Sequence, residues 1–365
     1  MASSNRVRHA TQQTPKIHPL ARWEDRLHRM REKSARRRKL VETIVPYRGY
    51  GTTKEIRVLC RVLLTRVPKP GSRRAKRFTR RFESVRGWRS FTSVPVANAQ
   101  VTITVNGYEE TVTADRGGVV DVHLAFALPQ GEHVATLRTA GSEPVEALIN
   151  VASPHATRGL VIDVDDTVMV TALPRPLLAA WNSFVLNEHA RVPTPGMAVF
   201  LSQMANLEPG MPIIYLSTGA WNVAPTLRRF LSRNLYPLGS MLLTDWGPTH
   251  DRMFRSGRDH KRRQLEKLAQ EFPDIKWILV GDDGQHDEEI YGEFEAKHPN
   301  QVSFVAIRQL STSEAVLAGG RRKGLAKQLH GSAPWVYAHD GAGMVEQLIN
   351  LGVLEQGGTR HQRYS

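Results

Sequence analysis

Apolar and polar positions follow three different rhythms along the chain. Between residues 18 and 45, Leu20, Trp23, Leu27 and Met30 recur at helical spacing among arginines and lysines, which predicts an amphipathic helix. From 46 to 153 the pattern shortens to β-branched runs punctuated by glycine and proline. Residues 56–64 form one such run. In AQVTITVNGYEETVTA, Val101, Ile103 and Val105 alternate with polar residues, and Asn106-Gly107 supplies a hairpin turn. VVDVHLAFAL and HVATLRTA continue the pattern, so this region reads as a β-sandwich. From about 154 continuous apolar runs take over: LVIDVDD, PIIYLST, MLLTDW, WILVGDD and VSFVAIRQ. Helical stretches such as APTLRRFLSRN and HKRRQLEKLAQEF separate them. Apolar strands alternating with helices indicate an α/β fold with a parallel sheet buried on both faces. Residues 326–365 add a strand, a helix with Val345, Leu348, Ile349 and Leu351 on one side, and a frayed end.

The expected organisation is therefore a basic arm over 1–45, a β-sandwich-like domain over 46–153, a catalytic α/β domain over 154–355 and a flexible tail over 356–365. The formal net charge is +15, with basic runs at Arg36–Lys39 and Arg73–Arg77. Such runs suit polyanions, and by themselves they do not choose between lipid headgroups, nucleic acid and a solvated arm. They lack interleaved aromatic residues, and no zinc knuckle accompanies them, which argues against nucleic acid. No stretch approaches the roughly 18 apolar residues of a membrane span, and the N-terminus has no signal-type apolar core. The expectation is a cytoplasmic protein, with peripheral contact to the inner face of a membrane as one reading of the arm. The single cysteine, Cys60, excludes an internal disulfide and a cysteine-rich metal site.

Candidate chemistry gathers at the polar ends of the apolar runs, where open parallel sheets bind ligands. Asp163 and Asp165 follow LVI, and Asp282 and Asp283 follow WILVG, with Asp287 close behind. Carboxylates crowded in this way repel unless a cation or a proton compensates, and Mg2+ prefers their oxygens. Ser217 and Thr218 end PIIYL and can donate to phosphate oxygens, while Lys261 opens the helix before WILVGDD and offers a positive charge. This is the equipment of phosphoryl transfer. One aspartate can act as nucleophile and the other, two residues on, as general acid and base. Each string alone also has a structural reading, as a turn, a helix cap or an exposed lysine.

The order Asp163-Val-Asp165-Asp166-Thr167, Ser217, Lys261, then Gly281-Asp282 and Asp287 resembles the four motifs of haloacid-dehalogenase-like phosphatases. DVDDT, YLSTGAWN and VGDDGQHDEEIY are most similar to the actin-patch-associated phosphatidate phosphatase family, which is akin to lipins. Tyr47-Arg48-Gly49-Tyr50-Gly51 resembles a string that opens an upstream β domain in bacterial members. The resemblance implies a Rossmann-like parallel sheet of the haloacid-dehalogenase type. It implies Asp163 as nucleophile and Mg2+ ligand, and Asp165 as general acid/base with its carbonyl on the metal. Thr167, Ser217, Thr218 and Lys261 would serve the phosphate, and Asp282 and Asp287 would complete the metal site. Asp283 departs from the serine often found in relatives, so it adds either a ligand or only charge. Arg175, in the apolar insert 168–195, and Arg308, after VSFVAI, are weaker candidates, equally readable as ion-pair partners.

The expected activity is hydrolysis of a phosphomonoester, with phosphatidate implied by the resemblance. The alternatives are a phosphatase for a soluble phosphomonoester and an inactive phosphatase fold that binds anionic membrane. An intact Asp163/Asp165 pair argues against the last.

Overall fold

The computed structural model describes residues 30–65, 94–170, 192–244, 256–284, 286–312, 314 and 331–355. The proposed insert with Arg175, the basic loop 67–92, most of the arm and the tail 356–365 lie outside them. The long helix expected over 18–45 is corrected in its second half. Residues 30–37 are helical, Lys39 turns into the left-handed region (φ 56°), and Val41–Pro46 is strand β1. The run Val41, Thr43, Ile44, Val45 prefers the pleat, and it pairs antiparallel with β3 (Ile56–Thr65) from Val41↔Thr65 to Pro46↔Cys60.

The following strands are β2 (Gly49–Gly51), β4 (Val94–Pro95), β5 (Gln100–Val105), β6 (Tyr108–Thr113), β7 (Val119–Leu124), β8 (Gly131–Thr139) and β9 (Val145–Val151). The Asn106-Gly107 turn joins β5 to β6, with φ of 46° and 82°. All nine strands hydrogen bond as one sheet, ordered β1-β3-β2-β9-β8-β5-β6, with β7 and β4 also on β3. A shared core of Val58, Val62, Ile103, Leu137 and Ile149 lies inside it.

The second sheet has six strands, all parallel: β10 (Arg158–Asp163), β13 (Ile213–Ala220), β14 (Ser240–Thr244), β15 (Lys276–Asp282), β16 (Val302–Arg308) and β17 (Trp335–Ala338). Between β10 and β13 a small pair, β11 (Met169–Val170) with β12 (Val192–Pro193), flanks the insert. Strands β10, β14 and β15 are buried along nearly their whole length, which is why their sequences do not alternate. The spatial order is β14-β13-β10-β15-β16-β17. The chain enters at β10, steps outward to β14, then crosses back to β15. Right-handed crossovers put the two sets of connections on opposite faces. Accordingly α3 (Ser256–Glu271) packs on α4 (Asp287–Lys297), and α1 (Met197–Ala205) packs on α5 (Gly341–Asn350), while α2 (Ala224–Arg233) links β13 to β14. In α5 the buried residues are Gly341, Met344 and Leu348; Leu351, expected on the packed side, caps the helix and is 55% exposed. The chain leaves β10 toward β13 and leaves the parallel neighbour β15 toward β16, on opposite sides of their junction. Their carboxyl ends form a topological switch point, where such sheets bind ligands.

The two sheets share a boundary. Tyr47 stacks on Trp221 at 4.5 Å between ring centroids, and Ser240 Oγ donates to Gly49 O at 3.0 Å. His123 of β7 faces Glu271 of α3 across this boundary at 3.4 Å. Burial and the nearby Arg57 charge push His123 down to about 4, and burial does the same to His260. A histidine depressed in the folded state adds stability above its ordinary value of 6.5 that is lost as pH falls through the folded value. Each contributes at most on the order of 3 kcal/mol. Thermal melts between pH 7 and 4 should therefore show a loss of stability across that window. The loss should shrink in a His123→Gln, His260→Gln double variant; an identical pH slope would refute the assignment.

Candidate active site

Asp163 is the last residue of β10 and Asp282 the last of β15, so both carboxylates stand at the switch point. Asp287 begins α4, where acidic side chains suit the helix dipole. Gly281 makes room for it, since a Cβ there would lie 2.6 Å from Asp287 Oδ2. One oxygen from each of Asp163, Asp282 and Asp287 falls within 4.8 Å of the others, and all three residues are buried. Lys261 lies between them, 2% exposed. Its Nζ is 2.6 Å from Asp163 Oδ1 and bonds Asp287 Oδ1. Lys261 does not open its helix, as expected from sequence, but sits in the second turn of α3.

Among the described residues the charges do not balance: three buried carboxylates face one ammonium. Burial, then the charge of Asp287, push both Asp163 and Asp282 well above the usual carboxylate range. Burial alone would lower Lys261, but Asp163, Asp287 and Asp282 outweigh it and hold the ammonium above its ordinary value. The surplus negative charge points to a cation. Among the described residues, Asp163 Oδ1 is buried with Lys261 Nζ as its ion-pair partner at 2.6 Å and no further donor, and Asp282 Oδ2 is buried with no hydrogen-bond donor. Asp287 is already engaged, by Lys261 at Oδ1 and by Asp282 N at Oδ2, 3.3 Å away. A hard divalent cation would thus find Asp163 and Asp282 readiest to ligate, with Asp287 as the third oxygen source.

Around this cluster the other candidates divide. Thr167 Oγ1 donates to Asp163 Oδ2 at 3.1 Å and so aims the carboxylate. Asp165 is not one of the three clustered carboxylates; its Oδ2 accepts from Ser217 Oγ at 3.0 Å, and Ser217 Oγ in turn accepts from Gly219 N at 2.9 Å. Ser217 therefore bridges the end of β13 to the loop after β10. Thr218 is half-buried, with its side chain against Gly257 at the start of α3. Asp283 is not among the clustered carboxylates: its Oδ1 accepts from Leu310 N at 2.8 Å, tying the loop after β15 to the one after β16.

Arg308 takes a role the sequence left open. Its side chain is buried, donating to Asp166 O at 2.7 Å and to His339 O at 3.3 Å, and pairing with Glu314 at 2.7 Å. Asp166 carries φ 60°, in the left-handed region that aspartate enters more readily than most residues. Arg308 thus braces the loop that presents Asp163, Asp165 and Thr167. Tyr236 Oη helps by donating to Val168 O at 2.6 Å. Nothing local in the sequence marks either contact.

Residues 158–309 match the family described as "Phosphatidate phosphatase APP1, catalytic domain". This segment is similar to the APP1-type phosphatidate phosphatase family. The chain is similar to the Saccharomyces cerevisiae protein named phosphatidate phosphatase APP1, at 25% identity over 45% of this chain and 28% of that one. An uncharacterized Schizosaccharomyces pombe protein aligns at 26% identity over 61% of this chain and 36% of its own. The chain thus spans about a third of the length of these curated relatives. Among solved structures, an uncharacterized protein from Listeria monocytogenes serotype 4b covers 54% of this chain at 11% identity, with a TM-score of 0.29. That overlap is too low to assign a fold.

Proposed function

We propose that the chain is a Mg2+-dependent phosphomonoesterase that works through an aspartyl-phosphate and acts on phosphatidate. The observation that carries the chemistry is the Asp163–Lys261–Asp287 bridge beside Asp282 at the switch point, with Asp165 held separately by Ser217. In this reading the six parallel strands form a Rossmann-like sheet of the haloacid-dehalogenase type, and the nine-stranded sheet is a β-sandwich-like companion domain.

The residues divide the work as follows. One carboxylate oxygen of Asp163 attacks phosphorus, the phosphate ester P–O bond breaks, and Asp165 gives its proton to the departing alkoxide. A water then attacks the aspartyl-phosphate. Asp165 takes the water's proton, the acyl-phosphate P–O bond breaks, and Asp163 is restored. Thr167 keeps Asp163 oriented, Ser217 keeps Asp165 oriented and offers its hydroxyl to the phosphate, and Lys261 balances the incoming negative charge. Mg2+ held by Asp163, Asp282 and Asp287, with the Asp165 carbonyl as a further oxygen, would supply charge neutralisation to phosphate and nucleophile together.

The lipid part of the proposal rests on the family match, and the basic residues of 31–39 agree with it, since each one near an anionic surface adds about 1 kcal/mol of attraction. Among the described residues no helix is long and apolar enough to cross a membrane. The test is phosphate release from phosphatidate in mixed micelles, beside a soluble phosphomonoester, with Mg2+ and with chelator. We expect release from phosphatidate that chelator abolishes. Release from the soluble ester alone would keep the aspartate chemistry and remove the lipid; release undiminished by chelator would remove the metal.

A further inference from the structure

Arg57 lies on β3, far in sequence from every residue of the candidate active site, and is 1% exposed. A guanidinium at that depth needs partners for its five N–H groups. Nε and Nη2 fork onto Asp121 of β7 at 2.6 and 2.7 Å, and Nη1 donates to Tyr50 Oη at 2.5 Å. Nη2 also donates to Gln264 Oε1 at 3.1 Å, and Tyr50 Oη donates to Glu271 Oε2 at 2.7 Å. Asp121 and Tyr50 belong to the nine-stranded sheet; Gln264 and Glu271 belong to α3. One cation therefore joins the two regions. Burial would raise Asp121, yet the Arg57 charge holds it at about 2, so the fork stays ionised.

Helix α3 needs such an anchor at its beginning. Its buried apolar side chains, Leu265, Leu268 and Ala269, all lie in the second half. Among residues 257–264 the buried side chains are polar: His260, Lys261 and Gln264. Gln264 follows Lys261 by three residues, one turn along and on a neighbouring face. The string Tyr47-Arg48-Gly49-Tyr50-Gly51 is shaped for this junction. A Cβ at Gly49 would lie 2.3 Å from Arg57 O and one at Gly51 2.4 Å from Glu55 O. Only glycines allow β2 that close to β3, so that both tyrosines reach the catalytic region.

We propose that the nine-stranded domain is a positioning element of the active site, in which Arg57, through Gln264 and through Tyr50 to Glu271, fixes α3 so that Lys261 stands between Asp163 and Asp287. The consequence for turnover rests on the phosphatase reading; the mechanical coupling does not.

The test uses the full chain with Arg57→Met, Tyr50→Phe and, as a control for lost stability alone, Ile103→Ala in the core of the same domain. Two quantities are read. Amide hydrogen exchange of residues 257–264 should speed up by about tenfold or more in Arg57→Met, with residues 277–281 of β15 unchanged. With Mg2+ and a soluble phosphomonoester, kcat should fall by about 10–100-fold, the scale of a catalytic group displaced by ~1 Å, with KM changed less than about threefold. Adding Arg57→Met to Lys261→Met should lower kcat no further, because the arginine acts through the lysine. Should Arg57→Met fail to fold, Tyr50→Phe reads the same quantities, since it removes one hydroxyl and keeps the ring on Phe272. Unchanged exchange in α3 would overturn the proposal, as would the same losses in Ile103→Ala. If the wild-type protein releases no phosphate at all, the phosphatase reading falls, and the exchange measurement still decides the coupling.

Discussion

Asp163→Asn should lower phosphate release by on the order of 10³-fold or more, the scale expected when a covalent nucleophile is lost, while making the metal-free protein more stable. The two effects have one cause. Asp163 is needed as an anion for attack, yet as an anion it sits buried beside Asp287 and Asp282 with, among the described residues, a single ammonium between them. Its folded pKa is raised, first by burial and then by Asp287. The stability it contributes is therefore complete below the ordinary value of 3.8 and lost as pH rises through the raised value. An amide of the same shape avoids that loss. Its oxygen can stay on Lys261, and Thr167 Oγ1 can rotate to accept from the new N–H. Denaturant melts in chelator should find the variant more stable than wild type by about 1 kcal/mol or more, with a gap that widens from pH 5 to pH 8. Saturating Mg2+ should close the gap, because only the wild-type cluster offers the full set of anionic oxygens. Appreciable turnover by Asp163→Asn would remove Asp163 as nucleophile. A variant less stable than wild type in chelator would remove the charge argument.

What the sequence disclosed follows from how local each signal is. The six parallel strands were legible because a strand covered on both faces must be apolar throughout, and LVI, IIYL and WILV are. Their ends were legible too: a carboxylate directly after such a run has nowhere to go but the sheet's carboxyl edge, which is where Asp163 and Asp282 stand. Strand β1 is masked in the sequence by the apolar stripe from Leu20 to Met30, because nothing in that spacing marks Lys39, whose left-handed backbone ends the helix. The directions of side chains were not legible. Asp165 and Asp163 are two residues apart, but one meets Ser217 and the other Lys261, a difference set by partners on β13 and α3. Arg57 was invisible for a stronger reason. Its partners Tyr50, Asp121 and Gln264 come from three separate elements, and no periodicity announces a contact made by the packing of one domain on another. The glycines of Tyr47–Gly51 were the available sign, since two such residues within one short strand mark a close backbone approach.

Lys261→Met should be the most destabilising single change at the site. Methionine matches the length and apolar stem of lysine, so packing is kept and the charge alone is deleted. Breaking a buried ion pair by removing one partner costs about 3–5 kcal/mol, and here the loss leaves Asp163 and Asp287 uncompensated together. In chelator the variant should therefore unfold at much lower denaturant than wild type. Mg2+ should recover more stability in the variant than it adds to wild type, because the ion no longer competes with an ammonium for the same oxygens. Turnover should stay about 10²–10³-fold low even with Mg2+, the scale of removing a preorganised positive or donor group from a site of developing negative charge. The decisive comparison is the double variant. Deleting the charge of Asp163 helps and deleting the charge of Lys261 harms, so Asp163→Asn added to Lys261→Met should restore much of the lost stability in chelator. Groups in contact are not expected to add, and the sign of the departure identifies its cause. A double variant weaker than Lys261→Met alone would mean that Lys261 and Asp163 support the fold by packing and hydrogen bonding separately, and that the imbalance of buried charge is not what readies this cluster for a cation.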